Sequence, residues 1–173
     1  DGNGCTLTYS IRGLPEDPAA DYRKYYGLFA SMRNAEVFSL NLDADMDLVV
    51  DSSAYVYAGL LTGMAHSSTF AGIQVDGSIC AESIDASKSR TCYVSGLVGY
   101  VDKFGDTGFA YTVVTACDLD LDVQLRSAGG SMFYSGITDV TTDWAGQVYY
   151  TNVTGSVEAY GDGITIKLLD NCE

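Results

Sequence analysis

Two runs of alternating residues limit what this chain can become more than anything else in it. Residues 109–125 place Phe109, Tyr111, Val113, Thr115, Cys117, Leu119, Leu121, Val123 and Leu125, almost all apolar, at odd positions. The even ones begin small and mixed at Ala110, Thr112, Val114 and Ala116 and end acidic at Asp118, Asp120 and Asp122. Residues 38–48 repeat the design, with Phe38, Leu40, Leu42, Ala44, Met46 and Leu48 alternating with Ser39, Asn41, Asp43, Asp45 and Asp47. Successive side chains of an extended chain point to opposite faces, so each run reads as a strand with a buried ridge and a wet, acidic back.

Shorter segments follow the same logic. Leu7, Tyr9 and Ile11 share one face of a first strand over 5–12. Others are expected over 54–61, 69–75, 92–101, 132–137, 146–153, 156–160 and 164–169. Asp76-Gly77, Gly129-Gly130 and Gly161-Asp162-Gly163 supply turn signals between them. One helix is predicted over 17–32. Asp17 caps it, Pro18 takes its first position, Asp21 lies in the positive first turn, and Tyr22, Tyr25, Tyr26, Phe29 and Met32 form an apolar stripe. About ten short strands in a chain of 173 residues with 2 prolines predict a single all-β domain over 1–173. The expected architecture is an antiparallel β-sandwich or jelly roll with one short N-terminal helix, and a closed β-barrel is the alternative. The 109–125 strand is long enough to serve two sheets through a bulge. No repeat of fixed period is visible, which speaks against a solenoid or propeller.

Charge excludes several classes. With 9 basic residues against 23 acidic ones the formal charge is −14, and no Lys/Arg cluster exists to neutralise phosphates, so nucleic acid is not an expected partner. An anionic membrane surface is disfavoured on the same ground. No run of roughly 18 apolar residues exists to make a transmembrane helix. The opening Asp1-Gly2-Asn3-Gly4-Cys5 reads as a mature N-terminus left by signal cleavage.

The cysteines point the same way. Cys5 and Cys172 would clasp the two ends, and Cys80 and Cys92 would staple a polar loop, each closure contributing roughly 2–4 kcal/mol. Cys117 is left over on an apolar face as a buried free thiol. Disulfides imply an oxidising, extracellular setting, secreted or cell-surface, and the sequon Asn152-Val153-Thr154 marks Asn152 as a glycosylation acceptor. With no Cys-x-x-Cys pair and His66 as the one histidine, a zinc site is not expected.

Asp43, Asp45, Asp47, Asp118, Asp120 and Asp122 are the residues a calcium ion would use. Same-face carboxylates on one strand stand roughly 7 Å apart, however, and the turn glycine of a calcium loop is missing. A solvated face that discourages edge-to-edge aggregation is the favoured reading. His66 lacks a Gly-x-Ser-x-Gly partner motif, and no phosphate-binding glycine loop is present. No cofactor and no catalytic residue is therefore assigned.

The expected function is that of a non-enzymatic extracellular structural or adhesive subunit. It would assemble with copies of itself, or with another extracellular protein, through Tyr-, Gly-, Ser- and Thr-rich surfaces. The alternative is a monomeric carrier or lectin-like module with a small ligand or glycan as partner, and a third option is an extracellular hydrolase using carboxylates. Assembly requires separate head and tail patches, a carrier requires a concave apolar pocket, and an enzyme requires a cleft holding an acid of displaced pKa.

Overall fold

The computed structural model describes residues 1–13, 23–51, 54–85, 90–102, 111–138 and 146–167. Among the described residues there is no helix. Fourteen strands account for the architecture: β1 (Thr6–Gly13), β2 (Arg23–Tyr26), β3 (Phe29–Arg33), β4 (Glu36–Phe38), β5 (Asn41–Val50), β6 (Tyr55–Gly59), β7 (Thr62–His66), β8 (Thr69–Ala71), β9 (Gln74–Ser83), β10 (Cys92–Ser95), β11 (Thr112–Thr115), β12 (Asp118–Ser135), β13 (Gly146–Tyr149) and β14 (Asn152–Lys167). Every ladder between them is parallel. Each strand pairs with one lying a full coil away along the chain, so the molecule is a β-solenoid of about 4 turns.

The coil has four sides. On the first lie β1, β5, β9 and the N-terminal halves of β12 and β14, in that order. The second holds β2, β6, β10 and the C-terminal halves of β12 and β14. The third is β3 beside β7, continued by single bridges from Thr62 to Val98 and from Val98 to Thr138. β4, β8, β11 and β13 make the fourth.

Identical positions stack rung on rung to make the core. Leu42, Val75 and Leu119 are register neighbours, as are Met46, Ile79 and Val123, and all are buried. Leucine and β-branched side chains in these rows pack against the rung above and the rung below. The corner before each first-side strand is also a stack. Gly4, Ser39, Gly72, Ala116 and Tyr150 all adopt left-handed backbone, with φ between 48° and 71°. For Ser39, Ala116 and Tyr150, which carry a Cβ, that conformation costs about 1 kcal/mol or more. Hydrogen bonds between successive corners, such as the Gly4 amide to the Ser39 carbonyl at 2.7 Å and the Ala116 amide to the Tyr149 carbonyl at 3.1 Å, hold it in place. The corner also resets the alternation: Val114 is buried before it at an even position, Leu119 after it at an odd one.

These findings overturn the antiparallel β-sandwich or jelly roll, and the closed barrel with it. Period-two alternation is the same whether a strand's neighbours run with it or against it, so hairpins had to be inferred from turn signals. Asp76-Gly77 lies inside β9, and Gly129-Gly130 and Gly161-Asp162-Gly163 lie inside β12 and β14. There the two long strands pass from the first side to the second, with a register shift in β12 between Ala128 and Met132. The expected helix is replaced where it is described: Tyr25 and Tyr26 belong to β2, and Phe29 and Met32 to β3. Two short strands around a bend at Gly27 imitate helical spacing. Asp17, Pro18, Asp21 and Tyr22 lie outside the described residues. The repeat exists but its intervals are unequal, because the first-side rungs open at Thr6, Asn41, Gln74, Asp118 and Asn152.

The cysteine pairing is corrected as well. Cys80 is a half-exposed free thiol on the outer parity of β9, whereas Cys92 is a buried free thiol at the start of β10. The two bracket a loop in sequence but face opposite sides of the wall. Cys5 is exposed and free, and Cys172 lies outside the described residues. Cys117 is buried and free, with its Sγ 3.3 Å from the Thr115 carbonyl oxygen. Free thiols supply no argument for an oxidising compartment. Burial pushes the Cys92 thiol up to about 12 and raises that of Cys117. Alkylation of the native chain followed by peptide mass mapping is therefore expected to modify Cys5 quickly, and Cys92 and Cys117 only after unfolding. Labelling of Cys92 at the rate of Cys5 would contradict this packing.

Candidate functional site

The outward residues of the first side form a regular array. Strands stand roughly 4.8 Å apart and same-face residues along a strand roughly 7 Å apart, so the side chains make a nearly flat grid. One row is Thr6, Asn41, Gln74, Asp118 and Asn152; the next is Thr8, Asp43, Asp76, Asp120 and Thr154. Beyond them run Ser10, Asp45, Ser78, Asp122 and Ser156, and then Arg12, Asp47, Cys80, Gln124 and Glu158. A groove of about 780 Å³ crosses the rungs between the first two rows.

Hydrogen bonds across the rungs explain how so many carboxylates coexist. Thr8 donates to Asp43 at 3.2 Å, Ser78 to Asp45 at 2.6 Å, Thr154 to Asp120 at 3.0 Å and Ser156 to Asp122 at 2.7 Å. The Asn152 side-chain amide donates to Asp118 at 2.9 Å, and the Arg12 guanidinium stands 3.8 Å from Asp47. Alternating hydroxyls and carboxylates thus supply donors where like charges would otherwise meet. Asp76 is the exception, standing between Asp43 and Asp120 with no hydroxyl of this kind beside it. Replacing Asp76 with asparagine is expected to raise stability by about 0.5–1 kcal/mol at low salt, and by less as salt screens the row. Urea melts at two ionic strengths would check this against Asp122→Asn, which removes a hydrogen-bonded carboxylate and brings no such gain.

The structure therefore separates the six acidic candidates. Asp43 and Asp120 share a row, with Asp76 between them, a residue that sequence reasoning missed. Asp45 and Asp122 share the next row across Ser78, while Asp47 and Asp118 lie in the two outer rows. Among the described residues no group of three or more His, Cys, Asp or Glu side chains converges as a metal site would require. Asn152, the sequon residue, is exposed at the head of β14.

A second array lies on the outer surface of the second side. Tyr25, Tyr57, Tyr93 and Phe133 are register neighbours, with ring centroids 5.5, 5.2 and 5.9 Å apart in turn. Tyr100 tilts against Tyr57 at 4.6 Å, and the Lys167 ammonium sits over Phe133. The rings use their faces on one another: Tyr57 at the centre is buried, and the half-buried Tyr25, Tyr93 and Phe133 around it present ring edges to solvent. His66 is a corner residue. Its Nδ1 lies 3.3 Å from the Asp102 carbonyl oxygen, and the Ser68 hydroxyl donates to the His66 carbonyl oxygen at 2.9 Å.

The class defined by this geometry is a parallel β-solenoid with a flat, hydrogen-bonded acidic wall. Comparison with known proteins takes it no further: no family model, no curated protein and no solved structure matches the chain. Among the described residues no helix is long and apolar enough to cross a membrane.

Proposed function

We propose that this protein works by contact rather than by catalysis, as a structural subunit that assembles with copies of itself end to end. The observation that carries this reading is the state of the two solenoid ends. Among the described residues β1 is paired on one edge only, and its inward residues are incompletely covered: Leu7 is 43% exposed, and Tyr9 and Ile11 are half-buried. β14 is likewise paired, among the described residues, only with β12, with Val153, Val157 and Ile164 half-buried and Ile166 40% exposed. The equivalent positions of the middle rungs are sealed. Unpaired ladder edges with apolar flanks are templates for another strand, and two different ends make a head-to-tail contact.

Sedimentation velocity over a wide concentration range, with electron microscopy of the same samples, tests the reading. Species at multiples of the 18.4 kDa chain and rods of uniform width are expected. A single species of chain mass at every concentration would sink it. A second reading, a monomeric glycan-binding module, draws on the polar groove between the Asn41–Asn152 and Asp43–Thr154 rows. It requires saturable glycan binding that is lost in Asp120→Ala.

A further inference from the structure

We propose that the copies join in one register, with β14 of one copy pairing in parallel with β1 of the next as though the coil continued without a break. This inference rests on the end-to-end reading and adds its register. Continuing the rows of the first side places Thr154 beside Thr8, Ser156 beside Ser10 and Glu158 beside Arg12 of the following copy. On the inner face Val153 then meets Leu7, and Val157 meets Ile11.

Three observations favour this register. First, parity is decisive, because β1 and β14 have their faces fixed by β5 and β12. A slip of one residue would set the inward Val153 and Val157 beside the outward Thr8 and Arg12, so neither face of the ladder would continue. Second, the charges agree. Arg12 is exposed beside Asp47, and Glu158 is exposed at the other end of the same row, where it accepts a hydrogen bond from the Tyr160 hydroxyl at 3.0 Å. Joining the ends sets Arg12 between Asp47 and Glu158. A slip of two residues keeps parity but sets Glu158 against Ser10 and loses the pair. Third, the ends are complementary parts of one coil. Residues 1–5 lie beside β4 on the fourth side, with the Gly2 amide donating to the Phe38 carbonyl and the Gly4 amide to that of Ser39, both at 2.7 Å. β14 covers the first and second sides of a coil, and the head of the next copy brings a fourth side.

Charge reversal tests the register. Glu158→Arg alone sets arginine against Arg12, and Arg12→Glu alone sets glutamate against Glu158. Each is expected to weaken self-association roughly tenfold, with an unchanged circular dichroism spectrum. An equimolar mixture of the two variants restores association, because each tail then faces an opposite charge on the other variant's head, and the double variant associates on its own. Single variants that assemble like the wild type, or a mixture no better than its components, overturn this register while leaving assembly standing. A wild-type chain that never associates overturns the assembly itself and the register with it.

Discussion

Replacing Gly59 with alanine is expected to lower the melting temperature by roughly 6–12 °C, corresponding to a loss of about 3 kcal/mol. Gly59 ends β6 at the bend from the second side to the third. A Cβ there would stand 2.5 Å from the Gly99 nitrogen and 2.6 Å from the Leu97 carbonyl oxygen. Both atoms are backbone of the next coil. They are held by hydrogen bonds, Leu61 to Leu97 at 3.0 Å and Gly99 to Thr62 at 2.9 Å, so neither can yield without opening the stack. The conflict is reciprocal, since a Cβ on Gly99 would stand 2.5 Å from the Ala58 nitrogen. Gly136→Ala is the control. Its Cβ would meet Val153 at 3.5 Å, an ordinary contact, and little change is expected. Calorimetry that placed Gly59→Ala within 2 or 3 °C of the wild type, about 1 kcal/mol, would refute this account of the corner.

Alkali is expected to unfold the protein well before it would unfold a chain without buried tyrosine and thiol groups. Burial pushes Cys92, Tyr57 and Tyr134 up to about 12 and raises Tyr9 further, while the Tyr9 hydroxyl donates to the Leu60 carbonyl oxygen. The folded state therefore favours the protonated forms. Their contribution is complete below pH ~7.5, where the unfolded thiol and phenols alike are protonated. The thiol's share declines from there and the phenols' from about pH 9, and all of it is lost as pH rises toward ~12. For the two most deeply buried groups, Cys92 and Tyr134, the loss is on the order of several kcal/mol. Melting curves from pH 8 to 12 check the window. Tyr134→Phe should match the wild type at pH 8 and exceed it at pH 11. Stability unchanged through pH 11.5 would show that these groups are not sealed from water.

How much of this was legible follows from which physical signals are local. The alternation of Leu42, Ala44, Met46 and Leu48, and of Leu119, Leu121, Val123 and Leu125, is a property of one strand, and all eight residues are buried as it requires. Strand direction is a property of pairs, and nothing in a single strand encodes it. The helical spacing of Tyr25, Tyr26, Phe29 and Met32 arose from β2 and β3 meeting at a bend. The site was half legible. Asp43 and Asp120 stand in conspicuous runs, but Asp76 joins them only through a register set by coils of unequal length. A usable signal was present in Gly27-Leu28, Gly59-Leu60, Gly96-Leu97 and Gly136-Ile137, one pair per coil. Asn41-Leu42-Asp43, Gln74-Val75-Asp76 and Asp118-Leu119-Asp120 open successive rungs in the same way. Read as a variable-length repeat, these would have indicated winding in place of hairpins.

The all-parallel ladders also bear on how the chain reaches this state. None of the first-side strands can find its partner by a tight turn, because each pairing closes a loop one whole coil long. The first such closure gives up chain entropy with only one neighbour gained, whereas each later coil docks on a finished surface. Folding should therefore show a slow, rate-limiting first winding followed by fast elongation. A partly wound chain carries the same raw edges as the ends of the finished one, so concentration during refolding decides whether it completes itself or captures a neighbour.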